Sequence, residues 1–291
     1  MRLITFRTDG HAHVGVMRDD DELVAIDEPG DMLELIESGA EGLAAARAAL
    51  SSARAKTHRL ASVELLSPIP LPRGNVIGIG RNYQKHAAET AAVEGREPSP
   101  PTVFTKAITS LTEPFADIAI DPAVSDKIDW EVELGVIIGK KGANIKRSDA
   151  RPHVFGYTVF NDVSARDIQN GWGGQYFKGK SLDRSSPMGP WIVTSDEIPD
   201  PQDLGLKLHV NGVQKQDGNT RDMIHSVDAV IEWVSLGLTL LPGTIIATGT
   251  PDGVGFARTP PEYLKPGDVM ETEVEKVGKL RNRIVSAGRK N

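Results

Sequence analysis

Beyond residue 66 the chain is written in short apolar runs that do not alternate regularly with helix-length periodic segments. The runs fall at residues 133–138, 156–160, 191–194, 206–210, 244–247 and 269–274. Parallel doubly wound sheets need a crossover helix between successive strands, so this pattern argues against one. It is the pattern of strands joined by turns and loops, and Gly and Pro punctuate it throughout. Few helices are expected: one around His86, one at residues 165–169 and one at 226–236. In the last of these Val227, Val230, Ile231 and Val234 share a face. The predicted class is α+β, mainly β, a mixed β-sandwich or roll.

The leading segment has its own pattern. Strands at residues 3–7, 13–17 and 23–26 are separated by Asp9-Gly10 and by the acidic run Asp19-Asp20-Asp21. Asp31 can cap a helix through Ile36, and the Ala-rich stretch at 41–53 predicts a second helix. Pro68, Pro70 and Pro72 then mark an extended connection. The boundary is placed near residue 65, giving a small N-terminal α/β domain over 1–65 and a larger domain over 66–291.

Composition removes several functions. The chain has no Cys, so disulfide frameworks and thiolate metal sites are excluded. Its net charge is −7 and no basic block stands out, which argues against a nucleic-acid partner. No apolar run approaches the roughly 20 residues a membrane span needs, and the N-terminus lacks an apolar leader. Cytoplasmic residence is the expectation.

Three clusters could carry chemistry. In Asp129-Trp130-Glu131-Val132-Glu133-Leu134-Gly135 an apolar strand begins among acids. Alternation puts Glu131 and Glu133 on one face and Trp130, Val132 and Leu134 on the other. Two such carboxylates repel unless a positive group lies between them, and a hard divalent cation fits. The alternative is a solvent-facing acidic edge. In Asn161-Asp162-Val163-Ser164-Ala165-Arg166-Asp167, Asp162 is either a third ligand or the N-cap of the next helix. Arg166 and Gln169, three apart, can share a helix face, with Arg166 either a carboxylate anchor or half of a surface pair. In Gly78-Ile79-Gly80-Arg81-Asn82-Tyr83 the third glycine of a dinucleotide loop would fall at Tyr83, so that motif fails. His86 and Glu89 can meet on a helix as a base and its orienting acid, or as an incidental surface pair. Lys180 lies between Gly179 and the rigid Pro187-Met188-Gly189-Pro190 stretch. Thr248-Gly249-Thr250-Pro251 can offer N–H groups and hydroxyls to an anion, or simply turn the chain.

The order of these motifs along the chain, closed by Leu264-Lys265-Pro266-Gly267-Asp268, resembles the fumarylacetoacetate hydrolase family over residues 66–285. The resemblance implies a mixed β-sandwich roll, a homodimer, and a cation in an acidic pocket. The family's metal carboxylates match Glu131, Glu133 and Asp162, its His–Glu dyad matches His86 and Glu89, and its catalytic lysine matches Lys180. Substrate-contacting positions match Arg81, Tyr83, Lys106, Arg166, Gln169 and Thr250. Fumarylacetoacetases proper carry a fourth metal aspartate seven residues before the histidine, where this chain has Ile79. That departure points to the shorter bacterial branch of the family, acylpyruvase-like or hydroxyhepta-diene-dioate isomerase-like.

The expected cofactor is Mg²⁺ or Mn²⁺, with Ca²⁺ a further candidate. The expected ligand is a small keto acid. The first expectation for the reaction is metal-dependent hydrolysis of a C–C bond in a 2,4-diketo acid. The alternative is isomerisation or decarboxylation of a hydroxymuconate-type dicarboxylate or oxaloacetate, in which proton transfer replaces attack by water. An alternative of another class is a catalytically silent metal- or ligand-binding dimer.

Overall fold

A computed structural model describes residues 1–28, 30–85 and 100–288. Its centre is the strand Val132–Ile138, whose every residue is buried. It runs antiparallel to Val154–Asn161 on one side and to Ile245–Ala247 on the other. The sheet continues through Val76–Gly80, parallel to Ile245–Ala247, and ends at Thr102–Lys106. In the other direction Ser186–Thr194 follows Val154–Asn161, then Arg2–Thr8, His11–Met17, Glu22–Ile26 and Thr57–Arg59. The leading strands are thus hydrogen-bonded into the same mixed sheet as the strands beyond residue 66.

A second, five-stranded sheet runs in the order Val213–Asn219, Gly205–Val210, Val269–Val274, Gly278–Ser286 and Ile118–Ile120. Its alternating inner residues Leu206, Leu208, Met270 and Leu280 meet Leu134, Val136 and Val159 of the first sheet in one apolar cluster. Each such fully buried aliphatic contributes about 1.5–3 kcal/mol. Two faces packed this way make the expected sandwich. A second cluster lies on the other face of the long sheet and joins Leu3, Val16 and Leu35 to Ile137, Phe160 and Ile192.

Helices are few. Val227–Ser235 buries Val227, Val230, Ile231 and Val234, the face read from the sequence, and Ser226 caps it by accepting from the Ala229 N–H. Asp31 caps Met32–Glu37 through the Glu34 N–H, and the Ala-rich helix spans Ala40–Ser51. The helix expected around His86 lies outside the described residues. Among the described residues no helix is long and apolar enough to cross a membrane.

Candidate metal centre and substrate cavity

The strand alternation places the first two acids. Trp130, Val132 and Leu134 enter the core, while Glu131 and Glu133 face a cavity. Antiparallel pairing sets Val132 opposite Asn161, so Asp162 arrives beside Glu131. Two bonds hold this register: the Asp162 N–H donates to the Glu131 carbonyl at 2.9 Å, and the Glu131 N–H donates to Asn161 Oδ1 at 3.0 Å. The N-cap of the following helix, Arg166–Gly171, is Ala165, without a side-chain cap. The capping alternative for Asp162 is thereby removed. Its carboxylate is free to face the acids, and one oxygen from each of Glu131, Glu133 and Asp162 lies within 4.8 Å of the other two.

Cationic side chains surround this triad. Lys180 Nζ donates to Glu131 Oε2 at 2.8 Å and to Asp162 Oδ2 at 2.7 Å. Lys106, fully buried, pairs with Asp162 Oδ1 and donates to the Val163 carbonyl at 3.1 Å. Arg166 spreads its fork over three partners: Nε to Asp129 at 2.7 Å, Nη2 beside Glu131 at 2.6 Å, and Nη1 to Gln169 Oε1 at 2.9 Å. The Phe256 ring lies under the guanidinium, 4.3 Å away. Asp129 also accepts from the Gly255 and Phe256 N–H groups at 2.7 and 3.1 Å. It ties the arginine to the loop that carries the ring.

Glu133 differs from its neighbours. Its hydrogen bond among the described residues comes from the Gly249 N–H at 2.8 Å. Gly249 has φ +98°, and a Cβ there would sit 2.8 Å from the Asn82 Cβ and 3.0 Å from the Ile79 carbonyl oxygen. Burial, then the charges of Asp162 and Glu131, hold the Glu133 carboxyl well above the usual carboxylate range. Burial alone would lower Lys180, but Asp162 and Glu131 outweigh it and raise its pKa. For Lys106 burial prevails, helped by Lys180, and its pKa is lowered.

Among the described residues, four buried carboxyl groups thus face three buried cationic side chains, and the one without an ion pair is Glu133, within the triad. A hard divalent cation fits this place. The donors are all oxygen, they converge, and a positive ion would let all three ionise together.

The cavity beside the triad has a volume of about 220 Å³. Arg81, Arg166, Gln169, Lys180 and Thr250 supply its polar wall, and Ile79, Phe104 and Phe256 its apolar one. Ile79, the residue at the sequence position of the fourth metal aspartate of fumarylacetoacetases, therefore stands on the apolar wall. Lys106 and Tyr83 do not line the cavity. Lys106 lies behind Asp162. Tyr83 is buried, and burial together with the charges of Glu133 and Asp222 raises its phenol well above the ordinary value. His86 and Glu89 lie outside the described residues. Sequence reasoning passed over Asp129, Asn161 and Phe256 as site residues. Asp129 offered one signal, its place two residues before Glu131 in the same acidic cluster.

A convergent, all-oxygen carboxylate site ringed by cations, at the edge of a mixed β-sandwich, is a candidate divalent-metal centre. The model for the fumarylacetoacetate (FAA) hydrolase C-terminal domain matches residues 75–285, and the chain belongs to that family. The oxaloacetate tautomerase YisK of Bacillus subtilis (strain 168) is 38% identical over 302 residues, covering 98% of this chain and 100% of that protein. The mitochondrial oxaloacetate tautomerase fahd2 of Xenopus laevis is 43% identical over 258 residues, 88% of this chain and 79% of that one. Among solved structures, fumarylacetoacetate hydrolase from the psychrophile Exiguobacterium antarcticum has a TM-score of 0.86 at 37% identity. The 2-hydroxyhepta-2,4-diene-1,7-dioate isomerase of Mycobacterium marinum has 0.78 at 30%. Maleylpyruvate hydrolase of Sphingobium sp. SYK-6, in complex with manganese(II) and pyruvate, has 0.81 at 30%. Each of the three covers 99% of this chain and is itself covered completely.

Proposed function

We propose that the protein is a divalent-metal-dependent isomerase that interconverts the keto and enol forms of oxaloacetate or a closely similar 2-oxo dicarboxylate. The observation that carries this reading is the 38% identity, over essentially the whole of both chains, to an oxaloacetate tautomerase. The site has the matching chemistry. Its cavity suits a short diacid, and its polar wall offers Arg81, Arg166 and Lys180 to negative oxygens. The reading replaces hydrolysis as first choice with the proton-transfer alternative.

Mg²⁺ or Mn²⁺ held by Glu131, Glu133 and Asp162 would supply Lewis-acid polarisation of a 2-oxo group. The chain's own groups do the rest. Arg166, fixed by Asp129 and Glu131, anchors a carboxylate, and Arg81 and Gln169 complete its orientation. Lys180 is pinned by two of its hydrogen bonds and offers its third N–H to the oxygen that gains charge as the enolate forms. Phe104, Phe256 and Ile79 keep water from the reacting carbons. The His86–Glu89 dyad moves the proton between C3 and the 2-oxygen: the C3–H bond breaks as the O–H bond forms, and the return path is the reverse. The proposal includes a homodimer, to be read by light scattering on the eluting protein.

Side-by-side assays decide the reaction. The metal-loaded protein is given the enol form of oxaloacetate and, separately, acylpyruvates, and the products are identified. Accelerated ketonisation without pyruvate release from acylpyruvates is expected. Stoichiometric pyruvate and carboxylic acid from an acylpyruvate, with no effect on oxaloacetate, would replace this reading with hydrolysis. That second reading draws support from the resemblance to maleylpyruvate hydrolase.

A further inference from the structure

Gln216 lies one layer behind the cavity, on the outer strand of the five-stranded sheet. The pairing of that strand slips beside it: Leu208 faces Gln216, but His209 faces Gln214. The extra residue is a bulge, which re-aims the side chains next to it. Gln216 is turned inward, only 1% exposed, between the two ends of the candidate site.

Its amide has a single allowed orientation. Oε1 faces the N–H of Val132, the residue between the two metal carboxylates, at 3.0 Å. Nε2 faces the Pro251 carbonyl at 2.9 Å and Thr250 Oγ1 at 2.8 Å. A backbone N–H can only donate and a backbone carbonyl can only accept, so the oxygen and nitrogen cannot be exchanged. Nε2 spends one hydrogen on Pro251 and the other on Thr250. The Thr250 hydroxyl is therefore an acceptor toward Gln216, and its own hydrogen must point elsewhere. Among the described residues no acceptor meets that hydrogen inside the protein, and Thr250 lines the cavity.

We propose that Gln216 is a positioning residue that fixes the polarity of Thr250, turning its O–H into the cavity as a donor to an anionic ligand. The inference rests on the oxo-acid reading of the site and assigns the threonine one direction in it.

The test is a double-mutant cycle read by oxalate binding to the Mg²⁺-loaded protein, measured by calorimetry, with thermal unfolding in parallel. Gln216→Glu still accepts from Val132 but has no N–H for Thr250, so it draws the hydroxyl hydrogen toward itself. Gln216→Glu and Thr250→Val should each weaken oxalate about tenfold to a hundredfold, the value of a hydrogen bond to a charged group. Thr250→Ser should retain affinity, and the double variant should be no weaker than Thr250→Val alone. Gln216→Met, which removes the amide at similar length, is read in the same cycle if the glutamate variant does not fold. Losses that add, unchanged affinity in the Gln216 variants, or a wild type that binds no oxalate each overturn the proposal. The predicted cycle in a protein that leaves oxaloacetate untouched keeps the positioning role and sinks the tautomerase. Ketonisation with additive losses does the opposite.

Discussion

Glu133→Gln separates the cost of a buried carboxylate from the gain of holding a metal. Gln keeps an oxygen for the Gly249 N–H, bonded to Glu133 at 2.8 Å, and removes the charge that burial, Asp162 and Glu131 disfavour. Because the folded-state pKa is raised above the ordinary value of 4.5, the native protein binds more protons than the unfolded chain above that pH. The stability of the metal-free protein should therefore fall as pH rises from about 4.5 toward the folded value. Each pH unit crossed in that window costs about 1.4 kcal/mol. Glu133→Gln removes this dependence, so in chelator at pH 8 the variant should be at least as stable as wild type. Metal reverses the order. At a hundred times its dissociation constant Mg²⁺ should stabilise the wild type by about 2.7 kcal/mol. That is a rise in Tm of about 5 °C for a chain of this size. The variant, short of one ligand, should rise little. Scanning fluorimetry of both proteins from pH 5 to 8, with chelator and with Mg²⁺, reads all four quantities. A variant less stable than wild type in chelator, or stabilised equally by Mg²⁺, would refute the assignment of Glu133 as an uncompensated ligand.

Three further outcomes follow from named contacts. A Cβ at Gly179 would stand 2.4 Å from the backbone N of Gln169 and 2.6 Å from its Cα, so Gly179→Ala should displace the Lys180 segment and cost about 1–3 kcal/mol in urea unfolding. Unchanged unfolding would show that the segment yields freely. Lys106→Met strips Asp162 of one buried partner and should cost about 3–5 kcal/mol without metal, part of it regained when Mg²⁺ is added, by the same unfolding assay. Arg166→Lys keeps the charge but cannot span Asp129, Glu131 and Gln169 at once; steady-state kinetics should show KM rising more than tenfold, and an unchanged KM would remove Arg166 from substrate binding.

The sandwich could be read from the sequence because its strands are short, apolar and bounded by turn residues, and each of the six runs named beyond residue 66 overlaps a strand. The pairing could not. That Arg2–Thr8 lies against Ser186–Thr194 depends on contacts nearly two hundred residues apart, which local pattern does not encode. In the site, period-two alternation put Glu131 and Glu133 on one face, and helical spacing joined Arg166 to Gln169. That Asp162 is not the helix cap, and turns its carboxylate toward Glu131 and Glu133 instead, needed the pairing of Val132 with Asn161 and the non-capping Ala165. Gln216 had no signal at all, since a glutamine in a polar edge strand looks exposed until a bulge turns it inward. Lys106 likewise gave no local sign of being buried. Its motif position marked it, and the structure shows it behind Asp162 rather than on the cavity wall.

If a cation held by Glu131, Glu133 and Asp162 enables proton transfer on a 2-oxo dicarboxylate, ketonisation must depend on that cation. The most direct measurement is the ketonisation rate of enol-oxaloacetate, followed by ultraviolet absorbance, for protein stripped with chelator and then titrated with Mg²⁺ or Mn²⁺. Glu131→Ala is run alongside. The enzymatic rate should be lost on stripping and recover saturably on titration in the wild type, with no recovery in Glu131→Ala at the same metal concentration. A full rate in chelator, or equal recovery in Glu131→Ala, would contradict that dependence.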